Sequence, residues 1–491
     1  MKKNALWLRA FVLALALVML VPAFAACAGD KNNAQSTKEN GPVETGDANV
    51  DENGFLLDGL GTMDFGVTAK MLGEEKYSKQ YAISLEDAEA SGKPVDMAIY
   101  QRNATVEDRL GIEFEWSYAQ GDWGNKDTFM KEVETSCQTE PYVGMVCYNL
   151  VPSLIASKGY AANVYGSKYL DLTGPWWPKA YTNEMLINET IYGIPESNDY
   201  GLLKNMMAIF FNTDMLEARQ MEDPYDLVAN NEWTIAKLKE MIKDTHEDKN
   251  NTTGDPEDDV YGFVNATAAK RDAWVYALGY RFSEVKDNEI VSLVNDPGIG
   301  EYIDTMLDFY ASGDAKLNDK SQHAIFLAQR AYFYGAGILM ADAIQKNETQ
   351  IKYGVVPYPK RDAAQTRYYT HLSNTYDAWC VPYNTPDMDL TSAIMECMAS
   401  EAYRSIGPTY YDTTVKIRYA SDEKLAPMYD LVRDSVTFDF VYLYSLAFST
   451  NPKDTAKSCI TDPNKKWAGL LASNKDPWQT AIDTIAGYYA N

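Results

Sequence analysis

Histidine is scarce in this chain: of 491 residues only His246, His323 and His371 carry an imidazole, and no two of them form the H-E-x-x-H helix that binds catalytic zinc. That argues against a zinc enzyme. Cysteine is nearly as sparse, with Cys27, Cys137, Cys147, Cys380, Cys397 and Cys459, and no pair has the close C-x-x-C spacing of a metal or redox site. Beyond Cys27 the count is odd, which leaves at least one thiol unpaired even if the rest are bridged, and the remaining five are read as small buried hydrophobes. There is no G-x-S-x-G elbow, no G-x-G-x-x-G fingerprint and no P-loop, so any ATP hydrolysis tied to this chain belongs to a partner. Positive charge is in the minority: 44 Lys and Arg stand against 70 Asp and Glu, a net −26, which excludes nucleic acid as a partner and keeps the surface soluble. After the first 26 residues no apolar run is long enough to span a bilayer.

What is present begins at the amino end. Lys2, Lys3 and Arg9 precede an almost wholly apolar stretch, Ala10 to Ala26, which closes on small residues, the three-part layout of a secretory signal over residues 1–26. Ala25-Ala26-Cys27 resembles the bacterial lipobox, with Phe24 where Leu is usual. That resemblance implies cleavage before Cys27, acylation of its thiol and a lipid anchor in the membrane. Residues 27–54 are rich in Asn, Lys, Thr, Gly and Asp and poor in large apolar groups, so they read as a disordered tether.

Beyond the tether the pattern is α/β. "FGVTAKML" (65–72) reads as a strand, residues 95–111 place Val95, Ala98, Ile99, Val106 and Leu110 at helical spacing, and "IEFEWSY" (112–118) alternates with period two. With Gly111 at the helix exit this predicts a βαβ unit. "YVGMVCYN" (142–149) predicts a third strand with a helix after it, and "MMAIFFN" (206–212), apolar on both faces, predicts a central parallel strand. Helices are expected from Asn212 to Met221, from Asn231 to Asp244 and from Leu390 to Arg404, and strands at 351–361 and 376–384. The acidic loop 244–259 is rich in oxygen ligands, but counting from Asp248 the position an EF-hand gives to Gly is Thr253, so it reads as a solvated loop. No internal repeat is present.

A chain of this length exceeds one ordinary core, and two large lobes are expected. The order of segments then becomes informative. The lipobox and tether, the βαβ unit, "YVGMVCYNLVPSLIASKGYAANVYGSKYLDLT", "IYGIPESNDYGLLKNMMAIFFNTDMLEARQMEDPYDLVANNEWTIAKLKEMIKD" and "AQRAYFYGAGILMADAIQK" together resemble the extracellular solute-binding proteins of bacterial ABC importers, of the sugar-binding type. The resemblance implies two α/β lobes joined by crossing hinge strands around a ligand cleft, the type II periplasmic-binding-protein arrangement. Lobe 1 is expected over 55–205 plus 360–406 and lobe 2 over 206–359 plus 407–491, with "IKYGVVPYPK" as the return crossover. It implies a monomer that binds a carbohydrate, an oligosaccharide given the aromatic supply, and hands it to ABC permease subunits without catalysis. No metal, cofactor or catalytic residue is called for.

Candidate ligand contacts follow from position. Tyr148 and Asn149 end the third strand, where the cleft of an α/β lobe lies. Trp123 in "QGDWGN" offers a flat face for a sugar ring with Asp122 as hydroxyl acceptor beside it, and Trp177 offers a second face. Glu196, Asn198 and Tyr200 precede the crossing strand. By segment order the resemblance adds Arg271, Asp272 and Trp274, and Asp342 at a position where relatives often carry Trp; Tyr411 and Tyr442 lie in the C-terminal aromatic stretches. Two other readings stay open. A secreted glycoside hydrolase needs only a pair of carboxylates across one bond, which 70 acidic residues neither support nor exclude. The same receptor fold also accommodates a peptide or another polar solute.

Overall fold

The predicted strand-helix-strand opening is the nucleus of the first sheet. Val67–Glu74 (β1) and Ile112–Ala119 (β2) run parallel with Val67 opposite Ile112. The helix Pro94–Leu110 joins them, with Pro at its first turn, where a missing N–H breaks no bond. It buries the anticipated stripe Val95, Ala98, Ile99, Val106 and Leu110. Gly111 ends it in the left-handed conformation at φ +63°, and a Cβ there would meet the Asp64 backbone at 2.8 Å, so only glycine fits.

The structure, a computed structural model, describes residues 49–490 apart from 250–257, 266–270, 317–321, 347–350, 412–422 and 463. The signal, Cys27 and most of the tether therefore lie outside the described residues. Residues 49–54 of the expected tether form a turn: the Asp51 carboxylate accepts the N–H groups of Asn53 and Phe55, and Val50 bridges Leu56. Among the described residues no helix is long and apolar enough to cross a membrane.

The other strands are Gly144–Tyr148 (β3), Gly193–Ile194 (β4), Met207–Asn212 (β5), Tyr261–Asn265 (β6), Ser283–Lys286 (β7), Glu289–Ser292 (β8), Ala315–Lys316 (β9), Ala331–Gly337 (β10), Tyr353–Val356 (β11) and Asp377–Cys380 (β12). They form two five-stranded sheets, β2-β1-β3-β12-β4 and β11-β5-β10-β6-β9, and the hairpin β7-β8. β5 is an interior strand, between the edge strand β11 and the central β10, and is buried along its whole length, as its apolar run predicts, but it is antiparallel to both. A strand buried on both faces carries no mark of direction in its side chains, so the parallel expectation had nothing to correct it.

The return crossover also differs from expectation. The segment 351–361 contributes β11 to the edge of the second sheet, and beyond it Lys360 still bridges Thr234 and bonds Asn231. The chain passes back only through 370–376. There His371 O accepts the Met207 N–H at 2.9 Å, Leu372 bridges Met206, and the Ser373 N–H reaches Asn205 O at 2.9 Å. The Asn205 side chain locks the crossing by bonding Gly201 O, Thr375 O and the Thr375 hydroxyl. A third segment joins the same place: the Thr370 N–H meets Ser435 O at 2.7 Å, and the Thr437 N–H meets Thr370 O at 3.0 Å. Three crossing segments, bonded side by side, connect the two sheets.

All five cysteines of the described region are buried and free. The predicted helix over 231–244 is confined to Ile235–Met241. Trp233 sits before it, fully buried, because its indole N–H is bound to Pro357 O at 2.8 Å.

Candidate functional site

The first sheet presents the carboxyl ends of its parallel strands to the crossing region. Glu74, at the end of β1, is buried and uses one carboxylate oxygen to accept the Lys76 and Tyr77 N–H groups at 3.0 and 2.7 Å, and the other to accept Gly121 N–H at 3.2 Å. One side chain thus fixes two loops. The second loop holds Asp122, which accepts from Asn125 and pairs with Lys76 at 3.1 Å. Lys76 holds its carboxyl below the usual range. Trp123 beside it is 48 % exposed. At the end of β3, the Tyr148 ring lies 6.0 Å from Tyr77, and the Asn149 N–H bonds Tyr376 O at 3.1 Å, tying the strand end to the returning chain.

The facing wall comes from the second sheet and the C-terminal helices. Asp272 precedes the short helix Ala273–Ala277 and is held by Lys453 at 2.8 Å and Lys457 at 3.0 Å, and both lysines also pair with Asp454 at 3.1 and 2.9 Å. Burial would raise the Asp272 carboxyl, but the two ammonium groups more than reverse this. Two negative and two positive groups leave this wall neutral. Tyr276 stacks on His371 at 4.7 Å between ring centroids, Tyr442 meets that imidazole edge-on at 4.8 Å, and the two tyrosine rings are themselves 6.0 Å apart. Burial pushes the His371 ring down to about 3, so it is uncharged at any physiological pH.

The two walls meet. Burial raises the Tyr148 hydroxyl, and the ionisable groups that add to this are Tyr77, Tyr376, Asp122 and Asp272, drawn from both sides. Tyr442 is likewise raised by burial, then by Asp272, Tyr148 and Tyr376.

Within this cluster, three deeply buried polar side chains have no well-formed hydrogen bond among the described residues: the Asn149 amide, the Tyr276 hydroxyl and His371 Nε2, with side chains 3 %, 3 % and 4 % exposed. Asn149 lies beside the Tyr376 hydroxyl without making a bond of good geometry to it. Each such group costs about 1–3 kcal/mol when left without a partner. A polar solute entering between the walls would supply those partners, and the flat faces of Tyr and His would cover its apolar parts.

Of the residues expected from sequence, Asp122, Tyr148, Asn149, Asp272 and Tyr442 are brought together here, with Trp123 on the adjoining loop. The others are not. Trp177 is buried with Trp176, and both indole N–H groups donate to Glu396, at 2.9 and 3.0 Å. Glu196 accepts from the Trp379 indole at 2.7 Å and faces Arg102 at 3.6 Å inside the first lobe. Trp274 is packed among Phe263, Phe309 and Tyr358, which leaves no ring face for a ligand; Arg271, half-buried, acts on Tyr302 and Tyr310. Tyr200, Tyr410 and Tyr411 form a second aromatic group, with Arg433 over Tyr411, Asp342 acting on Tyr200 and Asn198 against Gly407.

Sequence reasoning missed Tyr77, Tyr276, His371, Tyr376 and Lys453. Only His371 carried a visible signal, one of three histidines and placed just before a predicted strand. Two surface hollows, about 530 and 580 Å3, lie elsewhere, one lined by Tyr165, Asn188 and Asn288, the other by Lys239, Thr305 and Asp308. Asp58, Cys397 and Glu401 bring ligand atoms within 4.8 Å of one another, but Arg109 and Arg404 pair with both carboxylates, so the charge a cation would supply is already there.

Residues 112–404, more than half of the chain, match the family of bacterial extracellular solute-binding proteins, and the chain belongs to that family. Its place of action is therefore extracellular or periplasmic, and its family is one of binding proteins. No curated protein matches the sequence. Among solved structures, the chain is similar to the GacH receptor of Streptomyces glaucescens, studied unliganded and with acarbose, at 12% identity and TM-score 0.53 over 86% of this chain and 99% of that one. Maltose-bound MalE3 of T. maritima is similar at 14% identity and TM-score 0.51, over 86% and 99%. The galacto-N-biose/lacto-N-biose I-binding protein of the ABC transporter from Bifidobacterium longum is similar at 13% identity and TM-score 0.51, over 87% and 98%. At such identities the likeness establishes the fold, that of the type II periplasmic binding proteins.

Proposed function

We propose that this chain captures a carbohydrate of oligosaccharide size in the cluster between its two lobes and delivers it, unaltered, to an ABC-type permease. The carrying observation is the set of neutral, unpartnered hydrogen-bonding groups, Asn149, Tyr276 and His371, set among tyrosine faces in a wall whose charges cancel. A sugar offers hydroxyls that both donate and accept and C–H faces that pack on aromatic rings, whereas an anionic or cationic solute would find no unmatched charge. The structural neighbours named above bind acarbose, maltose and lacto-N-biose, which supports the same class here.

Release without chemistry fits the two aspartates of the cluster. A glycosidase needs an acid with a raised pKa beside a second carboxylate. Asp122 and Asp272 are both held low by lysines, and Glu196, raised to about 7 by burial, is enclosed by Trp379 and Arg102. In this reading the lobes divide at the crossing segments near 205, 370 and 436, and lipid on Cys27 keeps a monomeric receptor at the outer face of the membrane. Calorimetry of the signal-free chain with maltose, maltopentaose, raffinose and lacto-N-biose tests it. Silence toward all four would remove carbohydrate as the ligand class, and a shortened glycan in the recovered ligand would make the chain an enzyme. Mass spectrometry of the membrane-extracted chain tests acylation of Cys27.

A further inference from the structure

We infer that His371 is a ligand-contacting, specificity-determining residue: its imidazole, carried on the hinge, hydrogen-bonds a hydroxyl of the bound solute through Nε2. The inference rests on reading the interlobe cluster as the solute site, and adds to it the residue that links recognition to the crossing strands.

Three observations carry it. The backbone of His371 is part of the hinge itself, since its carbonyl accepts the Met207 N–H and its neighbour Leu372 bridges Met206. Its ring packs in a cluster of three with residues of different segments, Tyr276 stacked at 4.7 Å and Tyr442 edge-on at 4.8 Å, the two tyrosines 6.0 Å from each other. Nε2 nevertheless has no hydrogen-bond partner among the described residues, although the side chain is only 4 % exposed. A purely structural residue in this three-ring cluster is better served by phenylalanine, which fills the same space without a stranded polar atom.

The surrounding charges point to the ligand group. The ionisable groups facing the imidazole are Asp272, Lys453 and Lys457, and they are already paired with one another. The ring stays neutral beside them. A neutral imidazole nitrogen donates in one tautomer and accepts in the other, which matches a hydroxyl and gives no charge complement to a carboxylate, phosphate or ammonium. Because Tyr276 belongs to the second-lobe wall and His371 to the hinge, a solute bound to His371 also fixes the stack between them. That makes the hinge a direct contributor to affinity rather than a passive tether.

The test uses two variants and one spectrum. His371→Phe keeps the cluster of three aromatic rings, and His371→Gln keeps a polar atom near Nε2. With the glycan of the four-member panel that binds the wild type most tightly, H371F is expected to melt at or above the wild-type temperature while its affinity falls tenfold or more, and H371Q to recover part of that loss. In the wild type, nitrogen-15 spectra of the three imidazoles, with His371 assigned by its disappearance in H371Q, should show the Nε2 signal move on glycan saturation. Equal affinity of H371F and wild type, or an unmoved His371 signal in saturated wild type, overturns the inference while the carbohydrate reading stands. Failure of every glycan to bind the wild type overturns both.

Discussion

Two kinds of buried polar cluster sit in this chain, and they differ in one respect. Inside the first lobe, Glu396 receives two indole N–H bonds and the Asp171 N–H, so both its oxygens are bonded. Between the lobes, Asn149, Tyr276 and His371 are as deeply buried, yet their polar atoms have no such bonds among the described residues. Burial alone therefore does not set these apart; hydrogen-bond completion distinguishes Glu396 from the three interlobe groups, although Glu196 Oε2 and Trp274 Nε1, each buried away from that cluster, also lack a bond of good geometry among the described residues. The first kind supports the fold, and the second is a liability in the empty fold that a ligand can relieve.

The comparison breaks most visibly at Glu396. Glu396→Ala strands two indole N–H groups and is expected to lower the unfolding free energy by about 3 kcal/mol or more in urea titration, with glycan affinity at saturating folded protein unchanged. A loss below 1 kcal/mol would mean that the satisfied cluster is not structural. The next effect is in pH. Glu184, Glu196 and Glu396 are raised by burial from 4.5 to about 7, so the stability they contribute is full below 4.5 and is lost as pH rises through about 7. Thermal melts should therefore be higher at pH 5 than at pH 8, by roughly 1–3 kcal/mol of stability. Asp58, held near 2 despite burial by Arg109, Ser400 and Arg404, works in the opposite sense only at much lower pH. In the interlobe cluster His371 and Asp272 both lie below that window, so these two groups should leave affinity flat where stability falls. A parallel fall in affinity would place one of the raised carboxylates in the site.

Smaller effects sharpen the contrast from the other side. Tyr276→Phe removes an unpartnered hydroxyl and should change stability by less than about 1 kcal/mol while weakening glycan binding about tenfold. Trp123→Ala, on an exposed loop, should leave stability within about 0.5 kcal/mol and weaken binding only a few-fold, measured by the same calorimetry.

How far the sequence reached follows from the range of each interaction. The helix Pro94–Leu110 and its two strands were legible because periodicity and Gly111 are local signals. The antiparallel setting of β5 was not, since its partners β10 and β11 lie more than a hundred residues away and a strand apolar on both faces fits either direction. Strand ends pointed to Tyr148 and Asn149, which the fold does bring to the crossing region. Trp177 and Trp274 offered the same aromatic face on paper as Trp123, but Glu396 and the Phe263–Phe309–Tyr358 box that enclose them are remote in sequence. His371 and Tyr276 acquire meaning only when the three crossing segments are laid side by side.

The account turns on whether the unpartnered atoms between the lobes are where solute binds, and Asn149 is the cleanest probe of the first-lobe wall. Titration of wild type and Asn149→Ala with the panel glycans in one calorimeter measures this directly. The account predicts one-to-one binding of a glycan by the wild type and at least tenfold weaker binding by a variant that melts within a few degrees of it. A variant that binds as tightly as the wild type would contradict it.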